Sequence, residues 1–341
     1  MDDKSHTTVD VSMMTILKVL FVLLLIWFLW AIKEIVLLFL ISIIIASAID
    51  PVADFLYRKR VPRALSVLLV YAVFFGLLSV IVLLLVPPIT EQFKAISQAD
   101  FYDKFTSRIG LYRDDLTRIG VGQAIENSIK NFAGNFAGAL FQTTKGVITG
   151  FISVITVLAV SFYLTVEENG MKNLIRHLTP YKHQVYAMKL VNKIQKKIGA
   201  WVLGQLVLSA IIFGLTFIGL TLLKVEFALV LAVIAGILEI IPYIGPIVSV
   251  IPAVFFAFLQ SPVLALAVLV LYIIIQQLEN HILVPVVMSK SVGLNPVLVI
   301  LGILVGGTLG GVVGAIIAVP ILSGISVFVW DMVEGEELGQ S

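Results

Sequence analysis

Long stretches without a single charged residue constrain this chain more than any other feature of its sequence. Three of them, 64–86, 147–166 and 198–223, have the length of a membrane span, and a fourth, 291–330, is twice as long. A helix of about 20 apolar residues crosses the hydrocarbon layer of a bilayer. Because 60% of the residues are apolar and only 13% are charged, such a chain cannot cover a water-exposed surface. We therefore expect an all-α polytopic membrane protein.

Two more apolar stretches, 13–32 and 35–49, lie near the N-terminus and are separated by Lys33 and Glu34. These two charges indicate a tight turn between two spans. In total, the sequence predicts about eight transmembrane segments, and two of them, in the C-terminal half, are broken or re-entrant.

The distribution of Lys and Arg predicts the orientation in the membrane. Four basic residues lie in the connection 50–63 and seven in the connection 167–197, and loops rich in Lys and Arg stay in the cytoplasm. Both termini of this multi-pass plasma-membrane protein are then expected in the cytoplasm, and the segment 87–146 is expected outside.

Two segments outside the predicted spans have amphipathic helical spacing. In 87–146, apolar residues recur every three or four positions, which predicts a bundle of short external helices. These helices either pack on the transmembrane core or join the subunits of a homo-oligomer. In 181–198, an apolar stripe is flanked by lysines, and this helix is expected to lie in the interface and bind anionic lipid.

The sequence thus divides into five expected regions. The N-terminal spans occupy 1–86, and the external helices occupy 87–146. Two spans with the basic helix follow at 147–223, then the transport core at 224–330 and the acidic cytoplasmic tail at 331–341.

Proline and glycine interrupt both long apolar runs of the C-terminal half near their middle. Proline lacks a backbone donor and glycine permits the backbone angles of a reversal. The interrupting residues are Pro242, Gly245 and Pro246 in the first run and Gly306, Gly307, Gly310 and Gly311 in the second.

The two interruptions also correspond in sequence, because a shift of 66 residues places Gly236 on Gly302 and Gly245 on Gly311. Paired interrupted segments are a sequence pointer to the substrate site of a transporter. Two arrangements remain open at this stage. The runs are re-entrant hairpins that enter from opposite faces as an inverted repeat, or they are long kinked spans. The glycines alone are equally compatible with close helix packing.

Polar residues inside apolar segments are candidates for the transport pathway, since each is costly in lipid. Glu239 lies one helical turn before Pro242, and no other charge occurs between Glu226 and Glu279. A carboxylate there can carry a proton or bind a cation. The alternatives are that it lies near an interface or caps the broken helix. Gln205, in contrast, is interpreted as a packing residue.

A second polar cluster occupies the sequence QQLENHILVP. Its carboxylate and imidazole suggest proton or cation handling, whereas an interfacial helix end is an equally good explanation. The complete set of candidate pathway residues is Glu239, Tyr243, Gln276, Glu279, Asn280 and His281.

Other classes of function are disfavoured. The chain has no cysteine and a net charge of +2, so neither thiolate chemistry nor a nucleic-acid partner is expected. The sequence contains no HExxH, GxSxG or GxxxxGK[ST] motif. We expect neither an enzyme nor an ATP-driven pump, and no cofactor or metal site.

Three C-terminal sequences, GILEIIPYIGPIVSVIPAV, QQLENHILVPVVMSKSVGLNPVLVILGILVGG and GGVVGAIIAVPI, resemble the matching blocks of the autoinducer-2 exporter family of bacterial and archaeal permeases. Glu239 stands at a position where the family pattern is less strict. The residues that match the pattern are Pro242, Gly245, Pro246, Glu279, Asn280, Pro285, Lys290, Gly306, Gly307, Gly311 and Pro320.

This resemblance implies a secondary transporter that exports a small polar solute such as autoinducer-2, with coupling to a proton or cation. A sodium or lithium/proton antiporter is the alternative within the same family. A passive oligomeric channel or scaffold is a further alternative of a different class.

Overall fold

A computed structural model of the chain describes residues 13–97, 153–167, 175, 177, 179–288 and 294–339. All regular elements within these residues are helices, as expected where lipid offers no partner for open backbone groups. This part of the chain has five helices long and apolar enough to cross a membrane and four shorter apolar helices. The predicted all-α polytopic membrane fold is confirmed.

The N-terminal part forms four helices. They are α1 (Met13–Ala31), α2 (Lys33–Arg58), α3 (Arg63–Ser97) and α4 (Ser153–Val166). Ser97 lies beyond the expected end of the third span at residue 86. The external amphipathic segment expected at 87–146 falls for the most part in residues 98–152, outside the described residues.

The prediction of a tight turn between the first two spans is wrong. Ile32 alone separates α1 from α2, and its N–H donates to the carbonyl oxygen of Phe28 at 3.0 Å. The N–H of Val36 in turn donates to the carbonyl oxygen of Ile32 at 3.0 Å. Helical hydrogen bonds thus pass through Ile32, so the chain does not reverse. Lys33 instead places its ammonium group over the Trp30 ring, 5.3 Å from the centroid.

Helix α5 (Gln184–Leu222) is the element on which the C-terminal half packs, and a short 3₁₀ turn (Tyr181–His183) precedes it. Its 39 residues make a helix of about 58 Å, longer than a bilayer is thick. The basic amphipathic segment and the following span are therefore one continuous helix. Lys224, with φ 56°, ends it as the left-handed residue of a Schellman motif.

The first interrupted run is a helical hairpin, which we name hairpin 1. Its arms are α6 (Ala228–Leu238) and α7 (Ile244–Gln260). Phe227 at the start of the first arm stacks edge-on against Phe256 near the end of the second, with ring centroids 5.2 Å apart. The chain has therefore turned back on itself across residues 239–243.

Helix α8 (Pro262–Leu278) continues through a π-helical turn (Glu279–Leu283) into α9 (Val284–Met288). These three elements form one apolar stretch of 27 residues. It is long enough to cross the membrane once, and it separates the two interrupted runs.

The second interrupted run, α10 (Pro296–Gly339), is hairpin 2. Gly310 and Gly311 leave the helical conformation, and Gly311 has φ 60° and ψ −144°, which glycine adopts readily. A methyl group added at Gly302 would overlap the side chain of Leu322. These two residues would be about 30 Å apart in a straight helix, so hairpins rather than kinked spans describe both runs.

The two hairpins open toward opposite ends of α5. The open end of hairpin 1 packs with Leu220, near the C-terminal end of α5. The C-terminal arm of hairpin 2 binds the other half of α5, where Lys197 Nζ donates to Ser326 Oγ at 3.1 Å and Lys193 pairs with Asp331. This is the geometry of the inverted repeat that one of the two sequence interpretations describes.

Candidate functional site

The tip of hairpin 1 is built by the residues that interrupt its sequence. Pro242 lacks a backbone donor, and Tyr243 has φ 64° and ψ −44°, a strained conformation for a residue with a side chain. A methyl group at Gly245 would overlap the carbonyl oxygen of Leu238, so glycine is required for the close approach of the two arms. The tip therefore turns within five residues and leaves Glu239 at the end of α6.

Gln205 of α5 holds this tip. Its Nε2 donates a hydrogen bond to the backbone carbonyl oxygen of Glu239, and the side chain is buried, with 4% of its surface exposed. Carbonyl groups at a helix end lack intrahelical partners, and the carboxamide supplies one here. Sequence reasoning interpreted Gln205 as a packing residue. A lone carboxamide in an apolar span was the available signal.

The carboxyl groups of Glu239 and Glu279 lie together in the interior. Glu239 is 1% exposed and Glu279 6% exposed, and the two carboxyl groups are within side-chain hydrogen-bonding contact. The Oε2 atom of Glu239 is buried without a hydrogen-bond partner among the described residues. Hairpin 1 thus delivers one carboxyl group and the helix that follows it delivers the other.

The π-helical turn Glu279–Leu283 positions the second carboxyl group. Gln276, one turn earlier, donates from Nε2 to Glu279 Oε2 at 3.3 Å and to Asn280 Oδ1 at 3.5 Å. π-Helical turns are rare and occur frequently at functional sites. Glu279 in this turn is buried and its neighbour Asn280 is exposed, yet both side chains line the same cavity.

A cavity of about 500 Å³ adjoins the carboxyl pair. Four of the six predicted pathway residues line it, namely Glu239, Tyr243, Glu279 and Asn280. The remaining wall is mostly apolar and comes from α5, the tip of hairpin 1, α9, the residue Leu294 before hairpin 2, and both arms of hairpin 2. Its residues are Trp201, Gln205, Leu208, Pro242, Val284, Pro285, Met288, Leu294, Pro296, Val299 and Val319.

Two predicted pathway residues do not line this cavity. Gln276 reaches it indirectly, through its hydrogen bond to Glu279. His281 is exposed, and its Nδ1 lies 3.0 Å from the carbonyl oxygen of Gln277 on the same helix. The structure therefore brings the carboxyl groups together but leaves the imidazole outside the cavity.

The second interruption also lies away from the cavity. A methyl group added at Gly310 would meet the side chain of Leu37 on α2, so the tip of hairpin 2 packs toward the N-terminal helices. Hairpin 2 contributes Pro296, Val299 and Val319 to the cavity from its arms instead. Both interrupted segments enclose the site, but only the first does so with its break.

A smaller apolar cavity of about 280 Å³ lies between α2, α5 and hairpin 2. Trp201 and Gln205 line both cavities, so these two side chains form the partition between them. Apart from these two side chains, the smaller cavity is lined by aliphatic residues and one proline. The carboxamide of Gln205 therefore stands at the boundary of a polar and an apolar space.

Within the described residues, no group of three or more His, Cys, Asp or Glu side chains is arranged to hold a metal ion. The side chains with oxygen atoms that line the cavity carry two carboxyl groups, two carboxamides and one phenol; they are Glu239, Glu279, Gln205, Asn280 and Tyr243. Such a set can accept hydrogen bonds from hydroxyl groups, or it can bind a proton or a hard monovalent cation.

Comparison with known proteins places this architecture among transporters. Residues 16–334 match the sequence model of a family described as AI-2E family transporter. Two Bacillus subtilis proteins named as candidate transport proteins, YrrI and YueF, are each 29% identical to the chain, over 307 and 315 residues. These alignments cover 87% and 88% of the chain and 86% and 85% of the relatives. The AI-2 transport protein TqsA of Escherichia coli is 23% identical over 315 residues, covering 89% of the chain and 88% of TqsA.

Proposed function

The chain belongs to the AI-2E transporter family, and from that membership we propose that it is a secondary transporter that exports a small polar solute and couples this export to protons. Autoinducer-2 is the proposed solute class, because the relative TqsA is named as an AI-2 transport protein. The general role in membrane transport follows from the family. The solute, the direction and the coupling are the proposal.

One observation supports proton coupling, namely the buried contact between the carboxyl groups of Glu239 and Glu279. Two negative charges in contact repel strongly where water is scarce. A hydrogen bond between two carboxyl groups also requires a proton on one of them. The pair therefore holds one proton in the absence of solute. A solute that donates hydroxyl groups to both carboxyl groups stabilises their negative charges, and the displaced proton leaves to the water on the side to which the cavity opens.

The walls of the cavity suit a small solute with both polar and less polar parts. Glu279 and Asn280 offer hydrogen-bond acceptors, and Trp201 and Leu208 offer an apolar surface. Sites for small molecules are largely apolar, with a few polar groups that fix orientation. A cavity of about 500 Å³ lies within the size range of such sites.

A sodium or lithium/proton antiporter is the second candidate. The Oε2 atom of Glu239 is buried and has no hydrogen-bond partner among the described residues. A monovalent cation beside the pair would satisfy this oxygen and compensate the charge of one carboxylate, while a proton keeps the other neutral. Exchange of one such cation for protons would then be the transported reaction.

The proposed orientation in the plasma membrane places the connections 50–63 and 167–197 and the C-terminus in the cytoplasm. The cytoplasmic N-terminus expected from the sequence required a reversal at Lys33 and Glu34, and it is not part of the proposal because the chain does not reverse there. Tyr181 and Val185, on the basic segment before and at the start of α5, are 90% and 83% exposed. Exposed apolar groups beside lysines fit contact with anionic lipid headgroups at the cytoplasmic leaflet. This contact is part of the proposal, and it agrees with the Lys and Arg bias of the connections.

Transport by the purified full-length chain in proteoliposomes tests the proposal. Autoinducer-2 efflux is measured with and without an imposed proton gradient, for the wild type, Glu239→Gln and Glu279→Gln. Glu226→Gln is the matched control, because Glu226 is exposed near the open end of hairpin 1. We expect the proton gradient to drive efflux in the wild type and the control, and to have no effect in either pair variant.

Two results would contradict proton-coupled solute export. Sodium-driven proton movement without solute flux, lost in both pair variants, would establish the antiporter instead. Solute flux that needs no ion gradient and survives both substitutions would establish a passive channel.

A further inference from the structure

We infer that Gln205 is a positioning residue for transport: by holding the tip of hairpin 1 on α5, it sets the carboxyl group of Glu239 against that of Glu279. The inference rests on the proposed function, since it concerns the same carboxyl pair. It assigns a role to a residue that lies on neither of the two elements that carry the pair.

The hydrogen bond of Gln205 is directed at the break itself. Around the tip, the carbonyl oxygens of Leu238 and Ile241 accept backbone N–H groups at 2.9 Å. The carbonyl oxygen of Glu239 accepts the side-chain amide of Gln205, from a helix 34 residues earlier in the chain. The position of Glu239 is thereby tied to α5 as well as to its own hairpin.

The same turn of α5 also fixes the other half of the pair. Gly204 packs against the sulfur of Met288, where an added methyl carbon would lie only 2.8 Å from that atom. Met288 ends the helical stretch that carries Glu279. Adjacent residues of α5 therefore contact both elements that supply carboxyl groups, and this turn sets the spacing between them.

The surroundings of Gln205 make this hydrogen bond difficult to replace. The carboxamide is buried between a polar and an apolar cavity, and an unpaired amide there costs the full desolvation of its donor. A movement that pulls the tip of hairpin 1 away from α5 would leave both partners unpaired. The tip and this part of α5 are accordingly expected to move as one unit during transport.

The titratable groups that face Glu239 across the cavity are few. Glu279 comes from the π-helical turn and Tyr243 from the tip of hairpin 1. Among the described residues that line the cavity, α5, α9 and hairpin 2 contribute no Lys, Arg, His, Asp or Glu. A change in the pH dependence of transport after substitution of Gln205 therefore reports on the carboxyl pair.

The test compares Gln205→Met with Thr216→Val in the full-length protein. Methionine keeps the length of the side chain but has no donor. Thr216 is buried on the same helix, and its Oγ1 has no hydrogen-bond partner among the described residues, so Thr216→Val removes a polar group that holds nothing. Two readouts are used: amide hydrogen exchange at residues 239–245, and the pH midpoint of autoinducer-2 efflux from proteoliposomes.

We expect Gln205→Met to speed exchange at the tip by about tenfold or more and to shift the pH midpoint of efflux. Thr216→Val should change neither. Unchanged exchange at 239–245 would overturn the inference, since the tip would not depend on Gln205. Faster exchange with an unchanged pH midpoint would also overturn it, because Gln205 would then anchor the hairpin without setting the pair.

Failure of the proposed function gives a different result. Wild-type efflux would then be independent of pH and of the proton gradient. The exchange comparison would still decide whether Gln205 holds the tip of hairpin 1.

Discussion

Arg63 connects three helices through a single side chain. Its guanidinium group donates to Asp50 Oδ1 at 3.1 Å and to Asp54 Oδ1 at 2.8 Å, both on α2. Its Nε donates to the carbonyl oxygen of Thr165 on α4 at 2.7 Å. The side chain is 13% exposed. Only a planar guanidinium group can donate hydrogen bonds to these three acceptors in this arrangement, because the ammonium group of lysine lacks the forked geometry.

Arg63→Lys should therefore lower stability by about 1 to 3 kcal/mol, because at least one acceptor loses its partner. The measurement is the thermal unfolding of the purified protein in detergent. Arg58→Lys is the control, since Arg58 is exposed at the end of α2, and its effect should stay within about 0.5 kcal/mol. Equal melting temperatures for the two variants would show that the Arg63 contacts contribute nothing to the fold.

Among single residues, the sequence singled out side chains that the structure brings to one cavity, but it did not predict their contact partners. Glu239 and Glu279 stood out because charge is so scarce in the C-terminal half. Their contact depends on the fold of hairpin 1 and was not visible in the spacing. The hydrogen bond of Gln205 was not visible for the same reason, since its partner is a backbone carbonyl far along the chain. His281 was grouped with Glu279 by sequence proximity, yet it lies on an exposed face.

The arms of hairpin 2 approach so closely that glycines form their contact. A methyl group at Gly306 would overlap the carbonyl oxygen of Gly314, and one at Gly314 would overlap that of Gly306. Backbone groups cannot rotate away as a flexible side chain can. The contact therefore allows no side chain at either position.

Gly306→Ala should separate the arms of hairpin 2 and destabilise the protein by about 1 to 3 kcal/mol. Gly307→Ala is the matched control, because a methyl group there meets no atom within 4 Å and alanine favours helix by about 1 kcal/mol over glycine. Thermal unfolding in detergent compares the two. A stability of Gly306→Ala equal to or above that of Gly307→Ala would contradict the close approach of the arms.

The ends and interruptions of helices could be predicted from the sequence where nearby residues determine them. Proline and glycine located both breaks, since their backbone effects act within a few residues. The turn at Lys33 and Glu34 was wrong because a pair of charges does not by itself break a helix, and Lys33 packs over Trp30. The continuous helix α5 was not predicted, because its composition changes from basic to apolar along its length although its backbone stays helical throughout.

The whole molecule is organised by two hairpins that open toward opposite ends of α5. Helix α8 and its continuation to Met288 lie between them in the chain and are long and apolar enough to cross the membrane once. The sequence could not distinguish re-entrant hairpins from long kinked spans, because an apolar run has the same composition in either arrangement. Only the packing of one arm on the other, as between Gly302 and Leu322, distinguishes them.

Opposite entry of the hairpins predicts opposite labelling of their connections. The chain has no native cysteine, so single cysteines can be introduced without background. Glu226→Cys, before hairpin 1, should react with an impermeant thiol reagent added outside the cell. Lys290→Cys, in the connection before hairpin 2, should react only from the cytoplasm. Labelling of both residues from the same side would exclude the inverted arrangement.

The contact between the carboxyl groups of Glu239 and Glu279 depends on the overall fold, because the two residues lie on different elements. If Glu239 and Glu279 share one proton, they act as one unit, and their substitutions are not additive. If each carboxyl group titrates by itself, the two substitutions affect transport independently and their effects multiply.

The most direct test is the number of protons moved per solute in proteoliposomes for Glu239→Gln, Glu279→Gln and the double variant. The pair predicts that each single substitution abolishes coupled proton movement and that the double variant is no worse than either. Residual coupling in both single variants that is lost only in the double variant would contradict a shared proton, and with it the proposed mechanism.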